Sequence, residues 1–376
     1  MEQQEVSLFL KPTIMKPEAQ KGGEITRRFV MNKVGRMLAA ALQDRSIRLY
    51  NARNCEEMQK MQDEFLCTSL AFSPRGDIVA SGGVDRIVKL WDIRSGTMNA
   101  SLEGHEYPVL ALAFSPEGDR LVSGSGDTTL IIWDVDNQKK LHHMKGHSLY
   151  VVTCDWSPDG STIVSGEVDG SIRVWDATSG TLRAELKDHR TAVHSVKFTS
   201  DGSKLVSGSS DLSILIWSPD GNSYRKEQVL LGHSAEVRCL AFSTDGKYLA
   251  SGSSDKMIYV WSMQSLSIEG EARVQSEVDG IEWYPDEYAF LTADGTGTII
   301  RWEVTELESM LAPFTALLAE IEADANQARH DELVRKYNDL VGQYNPETLQ
   351  DKRLFYANWQ CKRALGLLKG KIRSSS

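Results

Sequence analysis

The stretch LVSGSGDTTLIIWDVD, Leu121 to Asp136, decides how this chain is read. It holds Ser123, Asp127 and Trp133, and His105 lies upstream. Serine, carboxylate and imidazole are the residue types of a hydrolase triad. The combination recurs, however. His147 precedes Ser165, Asp169 and Trp175; His189 precedes Ser207, Asp211 and Trp217; His233 precedes Ser251, Asp255 and Trp261. Four copies at one spacing are a structural repeat, not four active sites. Each buried carboxylate needs donors around it, and an imidazole, a hydroxyl and an indole N–H supply them.

Working outward, the repeat extends to seven units. Tyr50 and then Trp91, Trp133, Trp175, Trp217, Trp261 and Trp302 follow one another at 41, 42, 42, 42, 44 and 41 residues. Within each unit an alternating segment such as VLALAFS meets a turn such as PEGD. A second short strand follows, then a small-residue turn, a strand ending in the aromatic residue, and a weaker fourth strand. Period-2 alternation with turns every 8–12 residues predicts antiparallel four-stranded sheets. Units of about 40–45 residues bearing Gly-His and Trp-Asp resemble the WD-repeat (WD40) β-propeller family. The resemblance covers roughly residues 1–304. It implies an all-β, seven-bladed propeller in which histidine, serine, aspartate and tryptophan form a buried network in each blade.

Three units depart from the pattern. The second has Ser81, Asp85 and Trp91 but no Gly-His; the seventh has Thr292 and Trp302 with Thr296 at the aspartate position; the first keeps Asp44 with Ala40 at the serine position. A weak sector where these blades adjoin is therefore expected. The last unit shows three strands. The family closes its ring with an N-terminal strand, which predicts that EVSLFLK, with Val6, Leu8 and Leu10 alternating, completes the last blade.

From Thr305 the periodicity becomes helical, so residues 305–376 are expected to form an α-helical C-terminal arm. TELE, Thr305 to Glu308, reads as a capping box. Leu307, Leu311, Phe314, Leu318 and Ile321 make one apolar stripe, with Pro313 kinking or starting the helix, and Leu333, Tyr337, Leu340 and Tyr344 make another. Asn345 and Pro346 read as the start of a third helix. Residues 303–342 carry nine acids against three bases, and residues 343–376 two acids against seven bases. Packing of these helices on each other and on the propeller, and docking or oligomerisation through the arm, are both consistent with this pattern.

The net charge of −10 argues against a general nucleic-acid binder. No apolar run reaches the length of a membrane span. The five cysteines are scattered, which excludes a C-x-x-C zinc site and fits a reducing compartment, cytoplasmic with the nucleus also open. No metal or cofactor motif stands outside the repeat. The reading is a non-catalytic protein–protein interaction scaffold. A substrate receptor of a cullin-type ubiquitin ligase is the alternative, resting on Trp91-Asp92-Ile93-Arg94, in which Arg94 is the informative residue. A propeller enzyme is the third reading.

The resemblance also implies where partners bind. Ligands of such propellers often meet positions flanking the start of each innermost strand and the residue before the turn aspartate. Here these bring out Arg27, Tyr150, His194, Glu236, Arg238, Glu277 and Asp279. The expected ligand is a protein or peptide with a basic residue over blades 6 and 7 and an apolar residue over blades 3 and 4.

Overall fold

Each repeat unit becomes one four-stranded antiparallel sheet, and there are seven. The computed structural model describes residues 8–15, 25–32, 34, 36–306, 312–317, 319–320, 327–343 and 361. Blade 1 spans Ile25 to Gln62, blade 2 Cys67 to Leu102 and blade 3 Val109 to Lys145. Blade 4 spans Val151 to Leu186, blade 5 Val193 to Leu230 and blade 6 Val237 to Arg273. In these six the strands lie in chain order from inside to outside. Blade 7 takes Val278–Trp283, Ala289–Asp294 and Ile299–Glu306, and its outer strand is the N-terminal segment Leu8–Met15. The inner strand of each blade packs on that of the next, and Val278–Trp283 packs on Ile25–Asn32 to close a seven-bladed propeller.

The closing strand sits further along than EVSLFLK predicts. Leu8 and Leu10 are buried, Val6 lies outside the described residues, and the strand runs on through Thr13 to Met15. Its partner also runs long: Ile299–Glu306 remains a strand through Thr305. The capping-box reading of Thr305 is thereby corrected, because sheet pairing outweighs the fraction of a kcal/mol to about 2 kcal/mol that a local cap supplies.

Burial is organised between blades, not within them. One apolar cluster joins Ala80, Leu90 and Leu102 of blade 2 to Val109, Phe114 and Trp133 of blade 3, and others repeat this between blades 3 and 4, 4 and 5, and 5 and 6. The second-strand glycine makes the close approach possible. A Cβ at Gly124 would come within 2.7 Å of Val151, and one at Gly166 within 2.9 Å of Val193. The Ser-Gly pair of the second strand therefore reports a slot for the next blade's first valine.

Contacts divide the chain into two units, residues 12–302 and residues 1–11 with 303–376. In the second unit Gln327–Gly342 is a helix that buries Leu333 and Leu340, with Tyr337 half-buried. Helical turns at residues 312–317 bury Phe314 and Leu317, and the Cys361 thiol donates to the Phe314 carbonyl at 3.2 Å. Leu307, Leu311, Leu318, Ile321, Tyr344, Asn345 and Pro346 lie outside the described residues.

Candidate functional site: the blade networks and the ring edge they support

In blade 3, Asp127 Oδ2 lies 2.8 Å from His105 Nδ1, His105 Nε2 lies 2.7 Å from Ser123 Oγ, and Trp133 Nε1 donates to the same oxygen at 2.8 Å. A carboxylate only accepts, so Nδ1–H donates to Asp127 and the serine hydroxyl donates to Nε2. Blade 5 repeats the chain through His189, Asp211, Ser207 and Trp217 at 2.9, 2.7 and 2.8 Å. Blade 6 does so through His233, Asp255, Ser251 and Trp261 at 3.0, 2.8 and 2.8 Å. Each aspartate also accepts the amide just after the histidine: Glu106, Arg190 or Ser234.

Burial pushes these carboxyls up, but the hydrogen bonds outweigh it. Asp127, Asp211 and Asp255 are held below the ordinary carboxylate range. Burial lowers His189 and His233 against the pull of their aspartates, which favours the neutral imidazole. The serine–histidine–aspartate order is that of a hydrolase triad, but Ser123, Ser165, Ser207 and Ser251 are fully buried and already engaged. No substrate carbonyl can reach them.

Blade 4 differs from the sequence expectation. His147 Nε2 lies 2.6 Å from Ser165, which accepts from Trp175 at 2.8 Å, but Asp169 is exposed and does not meet the imidazole. Glu167 takes its place. Its Oε2 lies 3.2 Å from His147 Nδ1 and accepts the Ser148 and Leu149 amides at 2.9 Å each. Arg173 bonds both Glu167 and Glu185. Glu167 is lowered to about 2: burial raises it, and His147, the Leu149 amide and Arg173 overcome that. Glutamate two residues after the serine reaches where aspartate four residues after it ends in blades 3, 5 and 6.

The units without the histidine, blades 1, 2 and 7, are wired differently rather than left open. In blade 2, Lys89 is buried between Asp63 and Asp85, 2.7 Å from Asp85, while Trp91 donates to Ser81 at 2.8 Å. In blade 1, Arg48 bonds Asp44 at 2.8 Å and Glu57 at 3.1 Å. In blade 7, Trp302 donates to Thr292 at 2.8 Å, and buried Asp294 accepts the Thr296 and Thr298 amides. The sequence did carry a signal. Arg48, Lys89 and Arg173 all stand two residues before the blade's aromatic, where blades 3 and 5 have Ile131 and Leu215.

The inner-strand positions come together on one edge of the ring. The Val84, Gly126 and Val168 amides donate to the carbonyls of Leu66, Pro108 and Tyr150, and Ser210, Ser254 and Gly295 do the same to Ala192, Glu236 and Glu277. Two halves result. Blades 2 to 4 expose Phe65, Leu66, Val84, Tyr107, Leu149, Tyr150 and Val168, with Tyr107 and Tyr150 about half exposed and both close to Gly126. Blades 5 to 7 show Thr191, Ala192, Ala235, Glu236, Ser276 and Glu277 at matching positions.

The acidic group is already answered in part. Arg238 meets Glu277 at 2.7 Å and Asp279 at 2.8 Å, and Asp279 is nearly buried while Glu277 stays about half exposed. His194 Nε2 lies 2.7 Å from Ser210 Oγ and 3.9 Å from Glu236. Arg27 lies in Ile25–Asn32, its side chain outside the described residues. Arg94 is exposed in the turn between Val88–Asp92 and Met98–Leu102. Below this edge a central channel of ≈ 280 Å³ is lined by Leu110, Leu112 and Val152 on one side and by His194, Lys197, Arg238 and Asp279 on the other. Asp155, 3.7 Å away, holds the Lys197 ammonium above its ordinary value against burial. Among the described residues no group of three His, Cys, Asp or Glu side chains is placed to hold a metal, and no helix is long and apolar enough to cross a membrane.

The WD domain, G-beta repeat family matches residues 59–92, and the echinoderm microtubule-associated protein second β-propeller family matches residues 109–285. The chain belongs to the WD-repeat β-propeller family. Its blades share segments with the U5 small nuclear ribonucleoprotein 40 kDa protein of Dictyostelium discoideum, 32% identical over 59 residues, 16% of this chain and 17% of that protein. The small ribosomal subunit protein RACK1y of Oryza sativa subsp. japonica is 32% identical over 77 residues, 20% of this chain and 23% of that protein. The pre-mRNA-splicing factor cwf17 of Schizosaccharomyces pombe is 30% identical over 75 residues, 20% and 22% of the two chains. The matches thus span about a fifth of each of these WD-repeat relatives.

Proposed function

We propose that this WD-repeat protein is a non-catalytic interaction scaffold whose partner docks on the ring edge formed by the inner-strand starts. The apolar arc of blades 2 to 4 carries this reading. Exposed aromatic and aliphatic side chains on three consecutive blades are the kind of patch that marks a protein interface. The partner is a protein segment that sets apolar side chains on Tyr107 and Tyr150 and directs a basic residue toward Glu236 and the exposed side of Glu277. Arg238 remains the internal counter-ion of Asp279. The arm from residue 305 offers a second surface, for another partner or for self-association. The splicing and ribosomal names of the relatives support a cytoplasmic or nuclear setting.

Affinity purification with mass spectrometry on the full chain tests this. Tyr107→Ser with Tyr150→Ser should lower recovery of the main partner by roughly tenfold or more, while the melting temperature stays near that of the parent. Glu277→Lys should give a smaller loss that is greater at low salt. Full recovery by the tyrosine double variant, with loss in a chain ending at Glu306, would move the docking site to the arm.

A further inference from the structure

The outer strand of blade 3, Lys139–Lys145, reads KKLHHMK. One side pairs with Thr129–Asp134, and as the last strand of its sheet it has no strand on the other among the described residues. Lys139, Lys140, Leu141, His143 and Lys145 are exposed, and only Met144 is buried. None of the three lysines forms an ion pair among the described residues; Lys139 stands opposite Asp134 in the strand register, and Lys140 lies over the Trp133 ring at 5.9 Å. The outer strands of blades 4 and 5 are unlike it. Leu182–Leu186 carries Arg183 with Glu185, and Arg183 is bonded to Asp176. Ser223–Leu230 carries Lys226 with Glu227, and Lys226 pairs with Asp188 at 2.5 Å. Their charges are mixed, and Arg183 and Lys226 are each answered by an aspartate. On blade 3 three lysines and two histidines stand together without an acid, in a chain of net charge −10.

Lysine on an edge strand discourages edge-to-edge aggregation, and one or two such charges suffice for that. Three lysine charges on seven residues exceed that need and create an attractive field for negative charge, while burial and the charges of Lys140 and Lys145 keep His143 below its ordinary value, a neutral hydrogen-bonding group. A bulge between Ile132 and Trp133 also leaves Leu141 as the extra residue, exposed between Lys140 and His142. An apolar side chain framed by bases, beside free backbone donors and acceptors, has the chemistry of strand addition.

We propose that Lys139–Lys145 is a docking edge for an extended acidic segment of a partner protein, which adds to blade 3 as a fifth strand. Backbone pairing along the free edge sets the register. Glutamates or aspartates at alternate positions meet His143 and Lys145, which share one face of the strand, and Leu141 takes an apolar residue. A nucleic-acid strand fits less well. Three lysines fall short of the roughly 6–10 phosphate contacts of a salt-sensitive nucleic-acid site, and a phosphate backbone cannot satisfy a sheet edge in register. This surface is separate from the ring-edge patch above and does not depend on it.

The probe is a labelled peptide of alternating threonine and glutamate with one central leucine, titrated into the full-length protein by fluorescence anisotropy. A lysine-for-glutamate peptide and an oligouridine RNA serve as the other arms. Amide hydrogen exchange of Lys139–Lys145 is followed with and without each probe. The acidic peptide should bind, weaken as salt rises from about 50 to about 300 mM, and slow exchange along the strand. Lys139→Glu/Lys140→Glu/Lys145→Glu should cut affinity by roughly tenfold or more. Because Lys140 covers Trp133, Lys139→Gln/Lys145→Gln serves as a gentler second variant and should lose part of the affinity with an unchanged melting temperature. Absence of peptide binding, binding indifferent to both variants, or tighter binding of the RNA without slowed exchange would each overturn the proposal.

Discussion

Blades 3 and 4 present the same histidine, serine, aspartate and tryptophan at the same spacing, yet they are built on different acids. In blade 3 a four-residue offset lets Asp127 reach His105 directly. In blade 4 the longer Glu167, offset by two residues, reaches the imidazole first and leaves Asp169 at the surface. A carboxylate at that spot collects two donors at once, the imidazole N–H and the amide after the histidine. Which residue delivers it depends on side-chain length and on the basic residue two places before the tryptophan. Blade 2 extends the comparison: a lysine there does the imidazole's work between two carboxylates.

Breaking blade 4 at its true acceptor should have the largest effect. Glu167→Ala strips His147 and the two amides after it of their acceptor and leaves the buried Arg173 guanidinium with Glu185 alone, at a cost of about 3–5 kcal/mol. Chemical denaturation should show the loss as a lower midpoint. Lys89→Met comes next. It strands Asp63 and Asp85 together, and a loss of about 2–4 kcal/mol is expected in chemical denaturation. A midpoint unchanged from the parent's would mean that the lysine is dispensable.

Mild acid should have a smaller, distributed effect. His147, His189 and His233 are lowered by burial in the fold, so the unfolded chain binds protons that the folded one refuses. Stability is then highest above the unfolded histidine value of about 6.5 and falls as pH drops below it. The depressed Asp127, Glu167, Asp211 and Asp255 act in the same direction. Their contribution is present above about pH 4 and lost as pH falls through the folded values. A melting temperature that is flat between about pH 7 and 5 would contradict the histidine part. The smallest effect is the sharpest for the comparison: Asp169→Ala should change stability by no more than about 0.5 kcal/mol, whereas Asp127→Ala should cost about 1–3 kcal/mol. Equal losses at the two sites would restore the reading in which both blades use the same aspartate.

The repeating serine, histidine and tryptophan make the blades legible in the sequence, because their spacing is set by backbone geometry that every unit shares. Glu167 was not legible. It occupies a position that is serine in blades 3, 5 and 6, and only its reach in space shows that it displaces Asp169. Lys89 and Arg48 were overlooked because a base two residues before an aromatic reads as the exposed phase of a strand, yet both lean back over the turn to a carboxylate. On the ring edge the sequence named Tyr150, Glu277 and Asp279 one by one. That Phe65, Tyr107 and Leu149 stand with Tyr150 on one exposed apolar arc depends on the three-dimensional order of blades 2 to 4. The Arg238 bridge to both acids is likewise a matter of distance, since the residues come from neighbouring blades.

The N-terminal closing strand Leu8–Met15 beside Ile299–Glu306 carries a kinetic consequence. Blades 1 to 6 can zip up from local hairpins, whose loops are short and close cheaply. The last sheet has to wait for two segments from opposite ends of the propeller to find each other. Until they do, the assembling chain is an open arc with a raw edge on blade 7, and the arc offers that edge to any strand nearby. Crowding of nascent or refolding chains at this stage favours strand exchange between copies, so dilution during refolding should raise the yield of closed monomer.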